Sequence, residues 1–277
     1  MAIMTEINLK ELLPEVERIA RLAGAEVMKH YAGTRIYTKD DGSKVTDADL
    51  ASETVILPAL ARLTPRIPIV SEERVATGEQ PDISGGTFWT VDPIDGTNEF
   101  INKSDGFVVA IALVVGNRPA LGVVYHPSLN LMYSAAGTGT ASKISADGVR
   151  APLAAKTSAG PIPHILLQQK YADMPYIKDY LERRFKGSAV RKDMSNGIFR
   201  ACRIAEGLAD MALVCTDKEE GRMAFWDVAP GQAIIESAGG RVETLEGNPL
   251  VYDAGDYYVS PHIVLSPLQA KTFKVRV

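Results

Sequence analysis

Residues 89–100, WTVDPIDGTNEF, are the most informative stretch of the sequence. An apolar run ends there at Asp92, and a second carboxylate, Asp95, follows three residues later. Asp-Pro and Asp-Gly are common turn dipeptides, so a bare turn is an equally good interpretation of the segment on its own. Two carboxylates around a proline, with the Ile94 carbonyl between them, could instead surround a pair of hard cations, which take oxygen ligands. Such a donor set favours magnesium over zinc.

Gly96 and Thr97 continue this segment to the point where a helix could begin. The first amides of a helix have no intrahelical acceptors and lie at its positive end, which suits a bound phosphate. We therefore predict that Gly96 and Thr97 contact a phosphate group.

Two long helices are predicted on the amino-terminal side of this segment. Apolar residues recur at three- and four-residue steps over residues 9–31, with Asn8 as the N-cap. A second helical pattern covers residues 46–63, where Pro58 should introduce a kink. Both patterns predict helices with one apolar face.

Short β-rich runs surround the central segment. Strands are predicted at residues 67–70, 87–91, 107–115, 121–125 and 131–136, and the last three should form an antiparallel meander. Glu72 and Glu73 directly follow the first of these runs, as Asp92 follows the second. Carboxylates at strand ends are well placed to bind ligands.

The sequence changes character between residues 137 and 163, which are small, polar and rich in glycine and proline. We predict that this stretch joins two halves, an amino-terminal α+β half (1–150) with most of the candidate ligands and a carboxy-terminal α/β half (151–277) that completes the site. In the second half, strands are predicted at 165–167, 209–214 and 263–266, and helices at 176–185, 198–206 and 226–237.

Composition narrows the class of protein. Of 277 residues, 46% are hydrophobic and 23% charged, which is ordinary globular usage. A net charge of −4 argues against a polymeric nucleic acid as partner. Two cysteines cannot build a disulfide framework, and the four histidines share no metal-ligand spacing. With neither a signal sequence nor a membrane-length apolar run in this sequence, we expect a cytoplasmic protein without membrane contact.

Two further carboxylates could join Asp92 and Asp95. Glu72 follows a strand, and Asp227 lies in WDVAPG at the start of a predicted helix. Each is a weak signal alone, because an Asp at a helix start is most often only a cap. The sequence shows neither a nucleophile elbow nor a Walker loop, so covalent catalysis has little support.

Four motifs occur together in one order: VTDAD at 45–49, Glu72-Glu73, DPIDGT at 92–97 and WDVAPGQAIIESAGG at 226–240. In this combination the chain resembles the inositol monophosphatase superfamily over nearly its whole length. EFI at 99–101, GVVYHP at 122–127 and AEGLAD at 205–210 are similar to the 3′(2′),5′-bisphosphate nucleotidases of the bacterial sulfate-assimilation type within that superfamily.

The resemblance implies a layered αβαβα sandwich of the sugar-phosphatase type, with two to three Mg²⁺ ions between the halves. Asp49 and Thr97 are similar to the pair that holds and deprotonates the attacking water. Glu73 should point away from Glu72 on an extended chain and act only indirectly. The metal ligands that the resemblance implies are Glu72, Asp92, the Ile94 carbonyl, Asp95 and Asp227.

Departures from the family pattern bear on the substrate. Asn98 stands where the nucleotidases usually carry Lys, and Arg200 stands where they tend to have Lys. Arg200 could meet a second phosphate of the substrate, although a helix-surface arginine is about as good an interpretation. Val214 replaces a Glu that contacts the inositol ring in inositol phosphatases, and Arg222 is a weaker candidate cation.

The resemblance leaves three hypotheses for the function. The first is magnesium-dependent hydrolysis of adenosine 3′,5′-bisphosphate to AMP and phosphate. The second is hydrolysis of inositol phosphate or another sugar phosphate. The third is a module that binds metal and nucleotide as a sensor, which the presence of both Asp49 and Thr97 argues against. A small-molecule phosphomonoester is the expected partner, and a homodimer is left open.

Overall fold

The computed structural model describes residues 7–156, 164–167, 171, 173–184, 190–192, 197–215, 222–253, 255–259 and 262–267. Within them, the helices in chain order are α1 (Leu9–Lys29), α2 (Asp47–Leu63), α3 (Glu72–Ala76), α4 (Thr97–Ile101), α5 (Pro175–Arg184), α6 (Gly197–Ala205) and α7 (Phe225–Ser237). The strands are β1 (Ile36–Thr38), β2 (Lys44–Thr46), β3 (Ile69–Ser71), β4 (Phe88–Asp95), β5 (Val108–Val115), β6 (Arg118–His126), β7 (Leu131–Ala136), β8 (Ser142–Ile144), β9 (Arg150–Pro152), β10 (Ile165–Leu167), β11 (Val190–Lys192), β12 (Met211–Cys215), β13 (Met223–Ala224), β14 (Gly240–Thr244), β15 (Tyr258–Val259) and β16 (His262–Pro267).

Polar side chains fix the starts of the two long helices. The Asn8 side chain accepts a hydrogen bond from the Glu11 amide at the start of α1. At the start of α2, the Thr46 hydroxyl and the Asp49 carboxylate form a capping box. Both N-termini lie where the sequence predicts them, and α2 continues through Pro58 to Leu63.

Strands β3 to β9 form a seven-stranded sheet in chain order. β3 is parallel to β4, and every later neighbour pairs antiparallel. Both faces of this sheet are buried, because alternate residues of β5 enter two different core clusters. A smaller sheet has the order β11-β10-β12-β16-β14, with β10 parallel to both of its neighbours.

The elements stack in five layers. α1 and α2 cover one face of the large sheet, and α6 and α7 cover the other. The far side of α6 and α7 packs on the small sheet, whose outer face is covered by α5. A Cβ on Gly122 of β6 would lie 2.5 Å from the carbonyl oxygen of Pro230 in α7, so glycine lets this helix approach the sheet closely. The predicted αβαβα sandwich is confirmed.

The main difference from prediction lies in the stretch interpreted as a junction. β8 and β9 fall inside residues 137–163 and extend the large sheet. Each has only three residues, SKI and RAP, so neither shows an apolar alternation. Residues 157–163 lie outside the described residues, and the division into halves at residue 150 stays a prediction. One core cluster contains buried side chains from both sides of that boundary.

None of the described helices combines the length and apolar character that a bilayer-spanning segment needs.

Candidate metal and phosphate site

The site begins at an irregularity in β4. Asp92 pairs with Ala110 and Asp95 with Val108, so three steps along β4 match two along β5. This β-bulge matters because side chains three residues apart on a regular strand point to opposite faces. Because of the extra residue in β4, the side chains of Asp92 and Asp95 can lie on the same face of the sheet.

A carboxylate from the second half of the chain joins these two. Asp227 lies in the first turn of α7. One carboxylate oxygen from each of Asp92, Asp95 and Asp227 lies within 4.8 Å of the corresponding oxygens of the other two. These three residues, which could hold a metal ion and are called the metal triad below, come from the strand and the helix that the sequence suggested separately.

Burial and mutual repulsion act on every member of the triad. Burial raises the pKa of Asp92 and of Asp95, and the neighbouring carboxylates raise both further. Burial, followed by the charge of Glu72, raises the pKa of Asp227 to about 7. Burial and repulsion between the carboxylates disfavour three negative charges at this spacing. A hard divalent cation such as magnesium, which binds oxygen donors, would offset these charges.

Glu72 lies beside the triad and interacts electrostatically with Asp92 and Asp227. Glu72 and Glu73 begin the short helix α3, so the expectation of an extended chain at Glu73 is wrong. The Lys39 ammonium group contacts both, at 2.7 Å from Glu72 Oε1 and 2.8 Å from Glu73 Oε1. Burial and the charge of Glu72 raise the pKa of Glu73 to about 7.

Asp49 and Thr97 are brought together across the site. Thr97 Oγ1 lies 3.2 Å from Asp49 Oδ1 and 3.2 Å from the Ile94 carbonyl oxygen, so its single proton is shared between two acceptors. The other oxygen of Asp49 accepts from the Thr46 amide at 2.8 Å and from the Thr46 hydroxyl at 2.6 Å. Oδ1 is thereby left for Thr97.

The environment of Asp49 sets its proton affinity. Its side chain is buried, and this burial raises the pKa of Asp49 to about 6 although the bonds from Thr46 oppose the shift. A carboxylate with this pKa is ionised at neutral pH and holds a proton more strongly than an exposed one. Asp49 therefore has the properties of a general base.

Gly96 makes the close turn between β4 and α4. Its φ is +95°, and a Cβ there would lie 2.7 Å from the carbonyl oxygen of Gly106. Both the left-handed backbone and the lack of space require glycine at this position. The turn places Thr97 at the start of α4, directly after the metal triad.

Arg200 lies on α6, at the wall between the large and small sheets. It is only 2% exposed, so the helix-surface interpretation is wrong. Its positive charge acts on Asp95 and on Cys215. A buried guanidinium group therefore places a positive charge within electrostatic reach of the metal triad.

The other substrate candidates differ from Arg200. Val214 is buried in β12, and its Cγ1 lies 3.1 Å from where a Cβ of Gly197 would be. Arg222 is exposed and forms an ion pair with Asp256. Its charge is thus already balanced within the chain.

Two residues near the site were missed by the sequence analysis, namely Lys39 and Tyr258. Lys39 lies in the loop between β1 and β2, within a polar KDDGSK segment that gives no sign of its distant partners. Tyr258 is 37% exposed, and its ring centroid lies 6.2 Å from that of Trp226. Trp226 directly precedes Asp227 in the sequence. Tyr257-Tyr258 belongs to no sequence motif that would have indicated Tyr258 as a site residue.

The chain resembles known proteins in both its sequence and its fold. The model of the Inositol monophosphatase family matches residues 8–276. The chain belongs to the inositol monophosphatase family. Members of this family are magnesium-dependent phosphatases, so the chain is a phosphatase and the carboxylates fit the metal that the family uses.

The names of individual relatives are consistent with this family. The chain is 36% identical over 253 residues to the 3′(2′),5′-bisphosphate nucleotidase CysQ of Escherichia coli (strain K12), covering 90% of this chain and 97% of the relative. Among solved structures, CysQ from Bacteroides thetaiotaomicron superposes with a TM-score of 0.70 at 26% identity, covering 91% of this chain and 95% of that one. An inositol monophosphatase from Anabaena has the same fold, with a TM-score of 0.70, 24% identity and coverages of 94% and 92%.

Proposed function

We propose that the chain hydrolyses adenosine 3′,5′-bisphosphate to AMP and phosphate, with water as the nucleophile. The observation that carries the proposal is the placement of the metal triad beside two further features, the Asp49–Thr97 pair and the buried Arg200. The substrate is suggested by the names of the relatives, whereas the chemistry follows from the residues.

The metal would be held by the triad, with Glu72 as a further ligand and the Ile94 carbonyl as a neutral one. Two to three Mg²⁺ ions are proposed for this set. When bound, magnesium would lower the pKa of a coordinated water and neutralise the phosphoryl oxygens. Two hydrogen bonds hold the backbone on either side of the Pro93–Ile94 peptide: the Ile94 amide donates to Asp92 Oδ1 at 2.9 Å, and Ser52 Oγ donates to the Pro93 carbonyl at 2.9 Å.

Asp49 and Thr97 would move the proton of the attacking water. The water donates to Thr97 Oγ1, while the Thr97 hydroxyl passes its own proton to Asp49 Oδ1. Asp49 Oδ2 stays fixed by Thr46 throughout, so the carboxylate cannot rotate away from Thr97. The reaction needs neither a side-chain nucleophile nor a phosphoenzyme intermediate.

Arg200 is proposed to recognise the second phosphate of the substrate. A charge-assisted bond from a guanidinium group to a phosphate is strong where water is largely excluded, and Arg200 is buried. Inositol 1-phosphate carries only one phosphate and would gain nothing from this arginine. Val214 likewise offers no acceptor for a ring hydroxyl.

A side-by-side assay of phosphate release at fixed magnesium tests the proposal. We expect kcat/KM to be at least about tenfold higher for adenosine 3′,5′-bisphosphate than for inositol 1-phosphate. Arg200→Ala should erase most of that margin, and Arg200→Lys should keep part of it because the charge remains.

The alternative functions give different results in the same assay. An equal or reversed substrate preference would favour the sugar-phosphate hypothesis, with the metal site unchanged. Binding of the nucleotide without any phosphate release from either substrate would contradict catalysis and favour the sensor hypothesis.

A further inference from the structure

Tyr258 lies on a short two-stranded ribbon, within electrostatic reach of Asp227 and Glu72. β15 pairs antiparallel with β13, and the register places Tyr258 opposite Ala224. Ala224 is the N-cap of α7, three residues before Asp227. The ribbon therefore connects Tyr258 directly to the helix start that carries a member of the metal triad.

The Tyr258 ring packs against one neighbouring ring and remains partly exposed to solvent. The Trp226 ring packs against it at a centroid distance of 6.2 Å and an interplanar angle of 59°. Trp226 is buried, whereas Tyr258 keeps 37% of its surface exposed. A partly exposed aromatic ring near a phosphatase site is a candidate surface for a planar ligand group.

The backbone beneath Tyr258 is held by unusual contacts. Tyr257 has a φ of +65°, a conformation that bulky residues rarely adopt. Its carbonyl accepts a hydrogen bond from the Phe225 amide at 2.9 Å, and its hydroxyl donates to the Pro81 carbonyl at 2.8 Å. An ion pair between Arg222, directly before β13, and Asp256, shortly before β15, links the two segments of the ribbon. These contacts hold the backbone from which the Tyr258 side chain projects.

The charges around Tyr258 select the kind of group that it can receive. Its hydroxyl interacts electrostatically with Asp227, Asp41 and Glu72, all negative, and with Arg222, whose charge Asp256 balances. Arg222 is the cation among these groups, and because Asp256 balances it, the wall at Tyr258 offers a second phosphate no unbalanced positive charge. An uncharged planar ring with amine donors would be attracted to the aromatic face and to the acceptors around it.

We propose that Tyr258 is the surface on which the purine base of the substrate stacks while the scissile phosphate lies at the metal triad. This inference rests on the proposed function, because a base is present only in a nucleotide substrate. It divides recognition between two walls of the site, with the base at Tyr258 and the second phosphate at Arg200.

The test compares Tyr258→Ala, Tyr258→Leu and Tyr258→Phe with the wild type on two substrates, adenosine 3′,5′-bisphosphate and glycerol 2-phosphate, which has no base. We expect Tyr258→Ala and Tyr258→Leu to raise KM for the nucleotide about tenfold or more, the range found for lost base stacking. Their kcat/KM for glycerol 2-phosphate should stay within about twofold of the wild type. Tyr258→Phe should behave like the wild type on both substrates.

The outcomes separate this inference from the proposed function. Equal losses on both substrates, or a raised magnesium requirement, would show that Tyr258 supports the metal site and would overturn the inference. An unchanged KM for the nucleotide would also overturn it while leaving the proposed function intact. If the wild type itself shows no preference for the nucleotide over glycerol 2-phosphate, the proposed substrate is wrong and the inference falls with it. Tyr258→Leu keeps the test valid if the alanine variant folds poorly.

Discussion

Asp95→Asn should have opposite effects on the stability and on the activity of this protein. At the 4.8 Å spacing of the triad, two carboxylate charges repel by about 3 kcal/mol at an effective dielectric constant of ~20. The substitution removes the repulsion of Asp95 by both Asp92 and Asp227, but it also removes an attraction to Arg200. We expect a net gain of about 1–3 kcal/mol in the free energy of unfolding of the metal-free protein. For a chain of this length that gain corresponds to a rise in Tm of about 2–5 °C.

Thermal unfolding in EDTA and in excess magnesium, together with phosphate release, measures both effects. Magnesium should raise the Tm of the wild type and have little effect on the variant, because binding to the folded state alone shifts the unfolding equilibrium. Turnover of the variant should be nearly abolished. Glu15→Gln is the control, since it removes one acidic charge at an exposed position on α1. A lower Tm of Asp95→Asn in EDTA, or near wild-type turnover at low magnesium, would refute the assignment of Asp95 to the metal site.

Three further predictions concern the same site. Thr97→Ala should lower kcat more than it raises KM, with partial retention in Thr97→Ser, whereas a change in KM alone would make Thr97 a binding residue. Gly96→Ala should destabilise the protein by about 1–3 kcal/mol in thermal or urea unfolding, and more than Gly78→Ala, which has a similar φ of +93° but open space around it; equal effects would contradict the steric argument. In EDTA, the protein should be less stable at pH 8 than at pH 5.5. In the folded protein the pKa is raised to about 6 for Asp49 and to about 7 for Asp227. The stabilisation that comes from protonating these carboxyl groups is complete below their unfolded-state pKa and is lost as the pH rises through about 6 to 7. A Tm that rises between pH 5.5 and pH 8 would contradict this prediction.

Much of the fold could be predicted because the apolar periodicity is strong in the long elements. α1, α2 and α7 begin and end within two residues of the predicted bounds. β8 and β9 could not be predicted because three-residue strands carry no periodicity. Glu73 was misplaced for a related reason, since the five residues of α3 are too few to show a helical pattern.

The candidate site was predictable as a set of residues but not as an arrangement. Asp92 and Asp95 were identified as a pair, yet only the β-bulge explains how both reach one side of β4. The contact of Lys39 with Glu72 and Glu73 spans more than thirty residues of sequence, and nothing near Lys39 indicates it. Such contacts depend on the layers being assembled, so they lie beyond any local pattern.

The layers also explain why mutually repelling carboxylates stay together. Asp227 is fixed by α7, whose Phe225 stacks on Phe88 of β4 at a centroid distance of 5.8 Å. Phe88 is on the same strand as Asp92 and Asp95, so one apolar contact ties together the two elements that carry the triad. Further along the same helix, Pro230 packs closely on β6 because Gly122 of that strand has no side chain. The apolar core therefore supplies the free energy that holds the negative charges in place, and a bound cation would convert their repulsion into affinity for metal.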